Sequence, residues 1–247
     1  MKVEEWSGAP WAWLVARWSL GGEPTAWAAL LAVGVVVATI LVPPAWHAAR
    51  NVVTVVHEMG HVGAALLCGR RVQGIRLHTD TSGLAITRGS PRGPGMLLTA
   101  LAGYPAPGVV GAALTWAAVS GRAGAALMLL VAVLVAALLL VRNLWGLLVV
   151  LGSLIGAGLV LWRGEEQAVT PLVLVLGLFL AVGSVRAAWD LCAAHLRGDA
   201  SQSDAVSAAQ ASLLPAAAWL GLFSVVTAAC AGAALWLVGG ALLRLVG

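Results

Sequence analysis

Charge is scarce in this sequence. Only 10% of its 247 residues are Asp, Glu, Lys or Arg, against 61% hydrophobic residues, where a soluble domain carries roughly a quarter charged. A chain so poor in charge cannot cover a globule with polar surface, so its solvent must be largely lipid. Cysteine is scarce as well. Cys68, Cys192 and Cys230 are odd in number, lie in apolar stretches and show no metal-ligand spacing, which excludes a disulfide framework and leaves them as small hydrophobes. No basic tract is present either. The formal charge of +4 comes from arginines standing singly between apolar runs, with the densest group (Arg70, Arg71, Arg76, Arg88, Arg92) in one loop. That is no nucleic-acid footprint; loop arginines orient a membrane protein. Finally, Met1-Lys-Val-Glu-Glu lacks the basic start of a cleavable signal peptide, so the first hydrophobic stretch is expected to act as an uncleaved anchor.

What remains is a series of apolar runs. Residues 1–24 read as an N-terminal interfacial segment, because Pro10–Leu20 is Trp-rich, interrupted by Arg17 and too short to span. Residues 25–247 read as one polytopic domain. A first span, about Thr25–Val42, is stopped by Pro43-Pro44. A second helix over 46–68 ends at Gly69, a natural C-cap. The polar stretch 70–95 alternates Val72, Ile75, Leu77, turns at Thr79–Gly83, and resumes at Leu84 and Ile86, which is a β-hairpin pattern. Apolar runs follow at Met96–Val119, Ala123–Val141, Leu144–Trp162 and Val169–Leu196; then comes a polar linker, 197–214, and a last span over Pro215–Leu243. The expected fold is an all-α integral membrane protein of six or seven transmembrane helices, at about 20 residues per crossing, with a short hairpin after the second helix. Seven threaded spans put Lys2, Arg17, Arg142, Arg186 and Arg197 on the side of the arginine-rich loop, and Arg50, Arg122, Arg163 and Arg244 on the other. The positive-inside bias makes the loop side cytoplasmic.

The second helix carries the chemistry. His57-Glu58-Met59-Gly60-His61 places two histidines one turn apart on one face, so their ring nitrogens can converge on a metal at about 2.0–2.1 Å. Glu58 follows the first of them and is placed to act as general base on a metal-bound water. Neutral imidazoles with a carboxylate suit Zn²⁺. With this chain's content of His and Glu, the pentapeptide arises by chance in about two of a thousand such sequences. Ionisable groups at membrane depth also cost several kcal/mol unless paired, so they mark a site by default.

Two histidines need a third ligand, and only four aspartates exist. Asp190 lies inside an apolar span; at 1.5 Å per residue it sits about 10 Å from Arg197, while His61 sits about 12 Å from Gly69, so the two share a depth. Asp190 is the first candidate, with Arg186 at i−4 as a competing ion-pair partner. Asp204 is the alternative, provided that its linker folds back into the bundle. His195 or a glutamate are the remaining options. Asn143, at the start of a span, is a candidate to steady the substrate backbone or the oxyanion, or simply a helix cap.

These residues resemble the site-2 protease family of intramembrane zinc metalloproteases, nearest its small bacterial branch. HEMGHVGAALLCGRRVQGIRLH is similar to that family's motif helix and following hairpin. Ala102-Gly-Tyr-Pro-Ala-Pro107 stands in the place of its Ala-Gly-Pro turn, and Arg142-Asn143-Leu144 in that of its Asn-Leu element. Ser184 through Ser203-Asp204-Ala to Trp219 is similar to the small branch's C-terminal region. The Leu-Asp-Gly that usually supplies the third ligand is missing, and nothing acidic follows Asn143 until Glu165. The resemblance, over about Ala45–Trp219, implies zinc ligation by His57 and His61, base catalysis by Glu58, and cleavage of membrane-spanning protein substrates in a bacterial cell membrane, with the hairpin as gate. A degenerate, proteolytically inactive zinc-binding scaffold or regulator is the alternative. A transporter should carry ionisable residues along several spans, and here they gather at one.

Overall fold

Helices of this bundle start and stop where proline and glycine dictate. The computed structural model describes residues 10–246; Met1–Ala9, including Lys2, lie outside them. α1 (Pro10–Trp18) is followed by α2 (Ala26–Leu41), which Thr25 caps by accepting from the Ala28 amide at 3.2 Å. Val42 is extended, and Pro43 and Pro44 open α3 (Pro43–Leu67), so the chain bends by 106° between the two helices. Proline has no amide to continue the ladder and pushes its predecessor out of the α region. α3 ends as its sequence indicates: Gly69 adopts φ +67°, the Gly69 amide donates to Leu66 and the Arg70 amide to Ala65, the paired closure of a Schellman cap.

β1 (Arg71–Leu77) and β2 (Gly83–Arg88) then form the expected antiparallel hairpin, with Leu77 opposite Gly83 and an irregularity at Val72/Gly74. Ile75 and Leu77 are fully buried, which is why the alternation was visible. The hairpin is tied to the bundle at three points. The Thr54 hydroxyl of α3 donates to the Thr81 carbonyl at 2.8 Å. Ile75 accepts from the Arg142 amide at 2.9 Å. The Asn143 amide brackets Leu77, accepting from its N–H at 3.2 Å and donating to its carbonyl at 2.6 Å. Asn143 stands at the N-cap position of its helix, yet its side chain serves the hairpin.

α4 (Pro94–Ala102) and α5 (Pro105–Val119) follow with a 55° bend between them, then α6 (Ala123–Leu140), α7 (Leu144–Arg163), the 32-residue α8 (Glu166–Arg197), the short α9 (Asp204–Ala211) and α10 (Ala216–Val246). α6, α7, α8 and α10 are each long and apolar enough to cross a membrane, and the two bent pairs raise the number to as many as six. Taking each bent pair as one span gives up to six by length and composition, against the six or seven expected. Trp27, Leu139, Leu144, Trp189 and Trp236 are each at least 70% exposed, as befits a surface solvated by lipid. The chain is an all-α multi-pass membrane protein with one short hairpin.

Small residues set the closest helix crossing. A Cβ on Gly177 would lie 2.6 Å from the Thr115 amide nitrogen, and one on Gly111 would strike the backbone of Ala181. In lipid, where apolar burial does not drive helices together, such close backbone approach supplies the packing. It places α5 against α8 in the centre of the bundle.

Two arginines stand elsewhere than the threading put them. Arg17, assigned to the hairpin side, is buried at the opposite end, donating to the carbonyls of Gly164 and Trp162 at 2.6 Å each. The free carbonyls at the C-terminus of α7 attract a cation, and α1 folds over them. Arg50, assigned to the far side, reaches Asp190 on the hairpin half of α8 because α3 turns back after Val42.

Candidate metal site

The histidines of α3 face inward as a pair. Their rings meet edge to face at 4.7 Å, with the two Nε2 atoms 3.1 Å apart. His61 Nδ1 lies 2.7 Å from the Thr99 carbonyl of α4. A carbonyl only accepts, so Nδ1 carries the ring proton and Nε2 presents its lone pair to the site. Glu58 is buried, with one carboxylate oxygen 4.0 Å from His57 Nε2.

Asp204 completes the group. Its Oδ2 lies 3.2 Å from His57 Nε2 and 3.1 Å from His61 Nε2, and among the described residues His57, His61 and Asp204 form the one cluster able to hold a metal ion. The linker folds back for identifiable reasons. Gly198, at φ +83°, closes α8 with the Asp199 amide donating to Ala194. Ser203 caps α9 through the Val206 amide, which puts Asp204 in the first turn. Ala205 and Ala208 then bury completely in a cluster with Ala100, Leu191, Trp219 and Phe223.

Asp190, the first candidate, does not reach the histidines. Its carboxylate pairs with Arg50 at 3.6 Å, both side chains about one-third exposed. α8 turns Asp190 towards Arg50, eleven residues before His61 on α3. Nor does Arg186 take it: that guanidinium donates to the Ile40 carbonyl and lies over Trp46 at 5.2 Å. His195, Glu23, Glu165 and Glu166 stand outside the cluster.

The donor set fits a metal ion on two observations. Tetrahedral coordination at about 2.0–2.1 Å spaces ligands roughly 3.3 Å apart, and the three edges here are 3.1, 3.1 and 3.2 Å. Second, Asp204 Oδ2 is buried and accepts no conventional hydrogen bond, although it faces two ring nitrogens. One metal ion among the three atoms would be ligated by all of them at once.

Glycines give the site its walls, and these were not singled out from the sequence. A Cβ on Gly103 would collide with both imidazole rings, one on Gly83 with the Glu58 carboxylate, and one on Gly60 would sit 2.6 Å from Ala106 Cβ and 2.7 Å from the Ala102 carbonyl oxygen. Gly60 thus lets the α4–α5 break approach α3, while Gly103 brings that break onto the rings. The signal was present in Ala102-Gly-Tyr-Pro, quoted only as a resemblance. Thr99 carried none, since it acts through its carbonyl.

Fold and cluster together define a class, a helical membrane protein with a buried two-histidine, one-carboxylate site able to hold a metal ion. A family model described as Peptidase M50B-like matches residues 27–234, and the chain belongs to that family, which is site-2 protease-like. Comparison with curated proteins and with solved structures gave no match.

This geometry assigns different outcomes to the two aspartates. Asp204→Ala should weaken metal binding by well over the 10–100-fold typical of a supporting residue, whereas Asp190→Ala should stay within that range. Chelator competition on detergent-purified protein measures both, and the reverse order would return the third-ligand role to Asp190.

Proposed function

We propose that this protein is an intramembrane zinc metalloprotease that hydrolyses peptide bonds of membrane-spanning substrates. The observation that carries the reading is the convergence of His57 Nε2, His61 Nε2 and Asp204 Oδ2 beside Glu58 inside an apolar bundle. Family membership supports it. Two imidazoles and a carboxylate suit Zn²⁺ better than the hard, oxygen-seeking cations. Zinc, when bound, supplies Lewis acidity towards a carbonyl and acidifies water.

The chain's own residues do the rest. His57, His61 and Asp204 would hold the ion, leaving one side of the triangle for substrate. Glu58 takes the proton of the attacking water and returns it to the amine nitrogen as the C–N bond breaks. Its burial beneath Gly83 keeps the carboxylate close to that water. The Thr99 carbonyl keeps His61 in the required tautomer. Asn143 acts through the hairpin, fixing the end of β1 and hence the Gly83 wall above Glu58. A bilayer-borne substrate helix must unwind locally before its carbonyl can enter, because a hydrogen-bonded helical carbonyl is not free to react.

The reading also fixes a sidedness. The hairpin end holds the dense arginines Arg70, Arg71, Arg76, Arg88 and Arg92 together with Arg142, so the positive-inside bias places it in the cytoplasm. The exchange of Arg17 and Arg50 between ends leaves that bias intact.

Two measurements test the proposal. Glu58→Gln should retain zinc and lose cleavage of a labelled single-span model substrate by at least about 10²-fold, in line with loss of a general base; wild-type turnover in that variant would rule out the mechanism. A single cysteine at Ser82, in a chain freed of Cys68, Cys192 and Cys230, should resist an impermeant thiol reagent applied to intact cells. Efficient labelling would invert the topology.

A further inference from the structure

The proton and the carbonyl carbon have partners in the mechanism above, but the carbonyl oxygen has no hydrogen-bond donor from the protein. We infer that Tyr104 supplies that donor, its phenolic O–H bonding to the substrate's carbonyl oxygen as charge develops there. The inference rests on the hydrolytic reading.

Tyr104 is the chain's single tyrosine and stands at the α4–α5 break, next to Gly103. Its ring is held on two sides. One edge-to-face contact sets it 4.8 Å from the His57 ring at 88°, and a stacked contact sets it 5.2 Å from Phe223 at 20°. Phe223 is fully buried on α10, so the tyrosine is wedged between a candidate metal ligand and a rigid wall. The contact with His57 sets the phenol ring beside the candidate metal cluster. Among the described residues the hydroxyl makes no hydrogen bond, so its proton is uncommitted.

The chemistry balances without a further reactant. As water's oxygen bonds to the carbonyl carbon, the C=O π pair localises on the carbonyl oxygen and Glu58 accepts the water's proton. Tyr104 donates a hydrogen bond to that oxygen and keeps its own proton throughout. When the C=O bond re-forms, the C–N bond breaks and Glu58 passes its proton to the nitrogen. A donor aimed at developing charge, fixed in advance by its surroundings, typically contributes about 10²–10³ in kcat.

Tyr104→Phe removes the hydroxyl and keeps both ring contacts, so it separates the donor from the wall. The zinc-loaded, detergent-solubilised variant should keep its metal content and a KM within about twofold of wild type. Its kcat on the model substrate should fall about 10²–10³-fold. Affinity for a phosphinic peptide, whose tetrahedral oxygens mimic the charged state, should fall in parallel, while acetohydroxamate binding at the metal stays constant. Wild-type kcat and phosphinate affinity in Tyr104→Phe, with damage only in Tyr104→Ala, would reduce the residue to a wall and overturn the inference. If wild type binds zinc yet neither cleaves the substrate nor binds the phosphinate, the hydrolytic reading itself falls, and this inference with it.

Discussion

Taking an ionisable side chain out of water costs several kcal/mol unless something nearby compensates, and the interior of this bundle is arranged around that cost. Arg17 meets the free carbonyls at the end of α7. Arg186 meets the Ile40 carbonyl where α2 stops, and Asp190 meets Arg50. Each compensates locally, with a partner that carries opposite charge or partial charge. The exception is the group on α3 and α9. His57, His61 and Asp204 bring two lone pairs and a carboxylate oxygen together, and Glu58 Oε2 and Asp204 Oδ2 are both buried without a donor. A divalent cation would offset that arrangement. The fold positions the cluster by approach of small residues, at Gly60, Gly83 and Gly103, and these glycines are costly anywhere except where backbone or ring must come close.

The architecture was legible to the extent that it is written in local signals. Gly69 and the Pro43-Pro44 pair mark real helix ends, and Val72, Ile75 and Leu77 announce the hairpin because one of its faces is buried. Hydropathy locates the apolar helices but carries no direction. It does not register the 106° bend between α2 and α3 at Val42, and for that reason Arg50 was placed at the wrong end. Arg17 was misplaced for a related cause: a short interfacial helix can fold back over a helix terminus, and the attraction of the α7 carbonyls is not written in α1.

Within the site, the division is sharper. His57, Glu58 and His61 are legible because the spacing of one turn makes a face, a property of a single helix. The partner of that face is a tertiary fact. Asp190 was chosen by counting residues along its helix, and that count does not say which neighbour the side chain meets, here Arg50. Asp204 reaches the histidines through a chain of small events after Gly198: a left-handed cap, a serine N-cap, and two alanines small enough to let α9 sink against Phe223 and Trp219. No periodicity encodes that sequence of events. The missing Leu-Asp-Gly element thus coincides with an aspartate delivered from another segment, and family membership over residues 27–234 takes in both the histidines and Asp204.

The central claim is that the folded-back Asp204 and the two α3 histidines together coordinate one zinc ion. X-ray absorption at the zinc edge, recorded on the metal-loaded protein in detergent, tests it directly. The account predicts a first shell of nitrogen and oxygen only, at about 2.0–2.2 Å, with the multiple-scattering signature of two imidazoles, and loss of one light scatterer or of the metal itself in Asp204→Ala. A sulfur scatterer at about 2.3 Å, or a shell unchanged in Asp204→Ala, would contradict it.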